Sequence, residues 1–236
     1  MSASTFKTWL DAARPKTLPL AVACILSGSA VAAKSAHFSF ALTALALITA
    51  LLLQVLSNLA NDYGDAVKGT DNDNRLGPKR AIQQGLVTPD TMKKAMIFNV
   101  ALTVVVGAAL VLTAFDKAAD ILSFIGLGAL AIIAAICYTV GNKPYGYKGL
   151  GDLSVLIFFG WLGVAGTYYL QTGMISLTSG CQRRPVACWP LACSTSTTFV
   201  ISTTTAPVAN TPWWCAWARA GDAFIIWYCL AVPTFA

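Results

Sequence analysis

Charge is scarce in this chain and glutamate is missing. Only 11% of its 236 residues are charged, where soluble domains carry about 25%. With 56% hydrophobic residues, that shortage excludes a water-soluble domain. It leaves an all-α polytopic membrane protein, organised by the bilayer rather than by one core. Histidine is almost absent: His37 is the only one. The seven cysteines lack metal-ligand spacing and a neighbouring histidine, which argues against a zinc site or a disulfide framework. No cleavable export signal is evident. Met1–Lys16 is polar and amphipathic, and the apolar run after it reads as a first span. The net charge of +6 is what basic loops facing anionic lipid produce, and it gives no reason to invoke nucleic acid.

Five apolar runs are present, each near the ~20 residues a bilayer requires. They cover Leu18–Ala33, Phe38–Ala60, Ala95–Phe115, Ala119–Val140 and Gly151–Gln171. Phe6, Trp9 and Leu10 fall at helical spacing and predict a short interfacial helix before the first run. Thr88-Pro89-Asp90 predicts a helix start, with Thr88 as cap and Pro89 at the first helical position. Lys7, Arg14, Lys16, Lys68, Arg75, Lys79, Arg80, Lys93, Lys94, Lys143 and Lys148 fall on one side of the alternating spans, against Lys34 and Lys117 on the other. The positive-inside rule therefore places the N-terminus and the loops after spans two and four in the cytoplasm.

The densest polar stretch is Asn58–Arg80, NLANDYGDAVKGTDNDNRLGPKR. On a helix at ~100° per residue, Asn58, Asp62 and Asp65 share one face. Carboxylates repel at close range unless a cation lies between them. Aspartate oxygens suit Mg²⁺, which takes one or two carboxylates and shares its remaining positions with phosphate. Lys68, Arg75, Lys79 and Arg80 suit the other oxygens of a diphosphate. Such a site at a membrane mouth fits a lipid diphosphate, with its head in the loop and its tail among the helices. Asp71, Asn72, Asp73 and Asn74 also read as ordinary turn residues. A second polar loop on the same side, Tyr138–Asp152, carries Lys143 and Lys148 among four glycines. These two lysines read equally as membrane anchors or as further diphosphate contacts.

RPKTL, NLANDYGDAVKGTD, GPKRAIQQG and YTVGNKPYGYKGLGDL, in that order, resemble the menaquinone branch of the UbiA-type intramembrane prenyltransferases over about residues 5–180. The resemblance implies a nine-span helix bundle, of which five spans are clear here, around a cavity capped by cytoplasmic loops. It implies a bacterial inner-membrane enzyme with Mg²⁺ as cofactor. Its substrates would be a polyprenyl diphosphate and 1,4-dihydroxy-2-naphthoate. The prenyl group would join the ring as the carboxylate leaves as CO₂. On that resemblance Asp62, Asp65, Lys68 and Tyr138 are the candidate catalytic residues. Arg75, Arg80, Lys143 and Lys148 are the candidate diphosphate contacts, and Asn58, Asp62, Asp65 and Asp71 the candidate metal ligands. The wider superfamily's NDxxDxxxD would place a third aspartate at 69, which is Gly69 here; the nearest is Asp71.

A second Asp-rich motif, DxxxD, belongs after span six in that family, and none is present. From about residue 180 the text changes: Cys181–Ala236 holds five of the seven tryptophans and has no clean helical period. Trp213-Trp214-Cys215, read one base earlier, becomes an apolar triplet ending in Val-Val. The same shift permits Asp codons around 200–205. The expectation is a prenyltransferase domain over 1–180 and an out-of-frame segment over 181–236. Other readings are a prenyltransferase for another acceptor such as 4-hydroxybenzoate, an inactive copy, and a cation-coupled transporter. A transporter predicts mid-span charges and repeated halves, neither of which is visible.

Overall fold

The computed structural model describes residues 3–35, 37–69, 80–141, 144–146 and 150–174. The expected aberrant segment 181–236 and the candidates Asp71, Arg75, Lys143 and Lys148 lie outside the described residues. Those described are all helix and connection, with no strand among them. Helix α1 (Ala3–Ala13) leads through a 3₁₀ turn (Pro15–Thr17) into α2 (Leu18–Lys34). Then come α3 (Phe40–Lys68), α4 (Pro89–Ala114) and α5 (Ala118–Cys137). The last span starts as α6 (Gly151–Val155), widens to a π-helix over Leu156–Gly166, and ends as α7 (Thr167–Thr172). Five helical segments are long and apolar enough to cross a membrane.

The helix ends follow local chemistry. Ser39 caps α3 by accepting from the Leu42 amide at 3.4 Å. Thr88 caps α4 by accepting from the Thr91 amide at 3.2 Å, with Pro89 at the first helical position, as the sequence predicts. Helix α3 runs eight residues beyond the apolar limit at Ala60. It stops at Gly69, whose left-handed φ of 68° suits a residue without a Cβ. The extra two turns carry Asp62 and Asp65.

Two apolar clusters hold the spans together. At one end Ala12, Leu56, Leu59, Ala60, Val87, Met92 and Met96 are buried together. At the other, Ile25, Leu42, Ala46, Leu110, Val111, Phe115 and Leu170 are. Phe98, Val105, Leu112, Leu122 and Ile133 point outward, which in a membrane chain is a lipid-compatible face. Gln171 bridges the start of α3 and the end of α7. It accepts from the Ser39 amide at 2.8 Å and donates to the Thr43 hydroxyl at 2.9 Å. The Thr43 hydroxyl in turn donates to Ser29 at 3.2 Å. Tyr169 donates to Asp120 at 2.9 Å, tying the first turn of α5 to the same end. The Asp62 end is therefore the opposite end of the bundle.

Small residues set the helix spacing, as is usual where lipid removes the hydrophobic drive for association. A Cβ on Gly28 would lie 2.5 Å from the Val164 carbonyl oxygen and 2.9 Å from Thr167 Cβ. Because the obstruction includes backbone, Gly28→Val should force α2 off the last span. We expect a loss of roughly 2 kcal/mol or more, read as an earlier thermal unfolding transition by circular dichroism in detergent.

Candidate functional site

The site is built along one stripe of α3. Gln54, Asn58 and Asp62 recur every four residues and meet the turn between α1 and α2. The Gln54 amide donates to the Thr17 hydroxyl at 3.3 Å. The Asn58 amide donates to the same hydroxyl at 3.0 Å and to the Ala13 carbonyl at 2.8 Å. Thr17 itself donates to the Arg14 carbonyl at 2.9 Å. One step further along the stripe, the Arg14 guanidinium pairs with Asp62 Oδ1. Arg14 makes this contact from a left-handed backbone, φ 51° and ψ 70°, and is the only described non-glycine residue with positive φ.

Arg80 approaches from the other side. Its Nη1 lies 3.3 Å from Asp62 Oδ1 and 2.5 Å from Asp65 Oδ2, and donates to the Asn61 carbonyl at 3.0 Å. Asp62 is only 4% exposed and Asp65 15%, so both carboxylates sit largely out of water. Each is compensated by guanidinium charge, the condition under which buried carboxylates persist. Next to them, the buried Asn61 side-chain oxygen has no hydrogen-bond partner. A buried acceptor left unpaired costs about 1–3 kcal/mol and marks a position suited to a donor or a cation.

The carboxylate turn is seated on the end of α5. The Thr139 hydroxyl donates to the Ala60 carbonyl at 3.0 Å. A Cβ on Gly64, midway between the two aspartates, would lie 2.8 Å from the Thr139 carbonyl oxygen. Tyr138, beside Thr139, stacks edge-on against Tyr145 with ring centroids 5.3 Å apart. Tyr145 donates to the Ala134 carbonyl at 2.8 Å. Burial pushes the Tyr145 phenol above its ordinary value, with Cys137 adding to the push and a Ser154 hydrogen bond opposing it. It therefore stays a protonated donor at neutral pH.

Two glycines close over Tyr138. A Cβ on Gly146 would meet the Tyr138 carbonyl oxygen at 2.7 Å, and one on Gly151 would meet the Tyr138 hydroxyl at 2.8 Å. Backbone cannot yield as a ring can. Gly146→Ala should therefore cost roughly 1–3 kcal/mol of stability. Gly151→Ala should cost less and displace the Tyr138 ring instead. Thermal melts of the two variants, with Tyr138 ring resonances by NMR, check the contrast.

Of the candidates, Asp62, Asp65 and Arg80 are brought into one cluster. Asn58 adjoins it, with its amide nitrogen turned to the α1–α2 turn. Lys68 is exposed on the last turn of α3. Tyr138 sits one residue from the Thr139 contact. Arg14, counted from sequence only among the basic residues of the cytoplasmic side, joins the cluster, and Gln54, Thr17, Gly64 and Thr139 were missed. The four-residue repeat of Gln54, Asn58 and Asp62 was the available signal.

For the donor set, two carboxylates and an unpartnered amide oxygen on adjoining turns are hard oxygens, and they fit a divalent cation that completes its shell from phosphate. No group of three or more His, Cys, Asp or Glu residues that could hold a metal occurs among the described residues.

Paired carboxylates and guanidinium groups thus meet at one mouth of a membrane helix bundle. The chain is a multi-pass membrane protein of the UbiA prenyltransferase family, whose model matches residues 21–209. Prenyltransferases of this family generally use a divalent metal. It is 58% identical over 168 residues to a 1,4-dihydroxy-2-naphthoate octaprenyltransferase of Escherichia coli, covering 71% of this chain and 54% of that protein. It is 53% identical over 171 residues to the protein of that name from Haemophilus influenzae, covering 72% and 56%. A 2-carboxy-1,4-naphthoquinone phytyltransferase of Synechocystis is 29% identical over 176 residues, covering 73% and 54%. The chain thus spans little more than half the length of these relatives. No solved structure matches it significantly.

Proposed function

We propose that residues 1–180 carry part of a prenyltransferase site that joins a polyprenyl group to 1,4-dihydroxy-2-naphthoate with Mg²⁺ as cofactor. The observation that carries it is the Asp62–Asp65 pair, bridged by Arg80, with Arg14 on Asp62 and the unpartnered Asn61 oxygen beside it. The names of the relatives from Escherichia coli and Haemophilus influenzae supply the acceptor and the polyprenyl class of donor.

In this reading Asp62, Asp65 and the Asn61 amide oxygen hold the cation, with Asn58 setting the turn beside them. Asp71 is a further candidate ligand. Bound there, the cation supplies charge neutralisation to the departing diphosphate. Arg80 and Lys68 face the same oxygens as hydrogen-bond donors, joined by Arg75, Lys143 and Lys148 from the loops. They stabilise the negative charge that develops as the allylic C–O bond breaks with its electron pair on oxygen. The electron-rich ring carbon bearing the carboxylate forms the new C–C bond. The carboxylate then leaves as CO₂, returning its bonding pair to the ring. Tyr138, held by Gly146 and Gly151, lines the mouth, and the apolar bundle keeps water from the allylic carbon. The site faces the cytoplasm from a bacterial inner membrane, on the basic-residue count of its loops. Residues 181–236 are read as out of frame, which sequencing the encoding DNA across codon 180 tests.

Membranes carrying the 236-residue chain should retain radiolabelled geranylgeranyl diphosphate in a Mg²⁺-dependent manner. Retention unchanged by a chelator would overturn the site reading. Transfer of label to 4-hydroxybenzoate in preference to 1,4-dihydroxy-2-naphthoate would overturn the acceptor.

A further inference from the structure

We propose that Arg14 is an exchangeable counter-ion of the cation site. In this scheme a divalent cation taking the Asp62 carboxylate releases Arg14, and α1 with it, from α3. The inference rests on reading Asp62 and Asp65 as cation ligands and adds a residue and a movement to that reading.

Three observations carry it. The first is the unequal hold on the two arginines. Arg80 Nη1 serves Asp62, Asp65 and the Asn61 carbonyl, and its side chain is 12% exposed. Arg14 contacts only Asp62 among the described partners of its side chain, and is 29% exposed. Arg14 is therefore the guanidinium that costs less to move. The second is competition for one atom. Asp62 Oδ1 faces both guanidinium groups, and a divalent cation on that oxygen would meet two like charges. The wetter of the two yields, since repulsion between buried like charges is severe and water screens the exposed one.

The third is stored backbone strain. A non-glycine residue in the left-handed region is strained and persists only where surroundings over-determine it. Here the surroundings are the α3 stripe. Gln54 and Asn58 hold Thr17, Asn58 holds the Ala13 carbonyl, and the Thr17 amide and hydroxyl both hold the Arg14 carbonyl at 2.9 Å. Loss of the Arg14–Asp62 contact removes one reason for the strained turn to stay docked. Helix α1 is suited to undocking. Phe6 and Leu10 are already exposed, so it carries an apolar edge for the lipid interface, and Ala12 is its buried anchor.

The test uses the full chain in phosphatidylglycerol-containing nanodiscs, with Mn²⁺ as the probe and no diphosphate. Bound Mn²⁺ is read by electron paramagnetic resonance. Arg14→Gln and Arg14→Gly should both bind Mn²⁺ about tenfold more tightly than the unmodified chain, because the competing charge is gone. Glycine adopts the left-handed turn without strain, so the second variant keeps the turn where the first weakens it. In the unmodified chain, Mn²⁺ should also raise amide hydrogen exchange across residues 3–17 by at least severalfold. Equal Mn²⁺ affinity in all three proteins, or tighter binding in the unmodified chain, would overturn the exchange while leaving the cation site standing. Absence of Mn²⁺ binding from all three would overturn the cation reading and this inference with it.

Discussion

Asp62→Asn should abolish divalent-cation binding while leaving the helix bundle folded. The substitution keeps shape and removes charge, so the packing around a side chain that is 4% exposed is preserved. What changes is the partner of two guanidinium groups. Arg80 retains Asp65 and the Asn61 carbonyl. Arg14, already 29% exposed, can turn to water. Breaking a fully buried pair costs about 3–5 kcal/mol; with one arginine able to rehydrate, about 1–3 kcal/mol is expected here. The loss of cation affinity should exceed roughly a hundredfold, the upper end of what removing an outer-shell partner costs. Mn²⁺ titration followed by paramagnetic resonance reads the affinity, and circular-dichroism melts read the stability. Asp65→Asn should lose affinity comparably with a smaller stability change, because Asp65 is more exposed.

Arg80→Gln should be the most destabilising single change at this mouth, and divalent cations should partly rescue it. Arg80 bridges two carboxylates one helical turn apart. Without it, both carboxylates lose a guanidinium that they share. We expect a loss of about 3–5 kcal/mol, the range for stripping a buried charge of its partner. A cation that binds the folded pair stabilises by mass action, about 2.7 kcal/mol at a hundredfold excess over its dissociation constant. The thermal midpoint of Arg80→Gln should therefore rise more with millimolar Mg²⁺ than that of the unmodified chain. Equal Mg²⁺ responses would show that the carboxylate pair is not where the cation acts.

The spans were legible because hydropathy belongs to each residue and sums along the chain. The start of α4 was legible because Thr88, Pro89 and Asp90 act on their own backbone. The end of α3 was harder. Hydropathy stops at Ala60, but the helix continues to Lys68, since polar residues at helical spacing propagate a helix already nucleated. The pairing of Asp62 with Asp65 followed from spacing alone. The partner of Asn58 did not: its amide meets Ala13 and Thr17, more than forty residues away in sequence. Nor did Gly64 announce itself, because its need for a bare Cα comes from the Thr139 carbonyl.

Membrane residence, five spans and a carboxylate pair on one helix face were determined by composition and period, which are local and additive quantities. Tertiary structure decided which cations face those carboxylates. Arg14 and Arg80 reach Asp62 from 48 and 18 residues away, separations over which no local rule sets a partner. Charges act through space, so their partners depend on which helix ends the bundle brings to the same mouth.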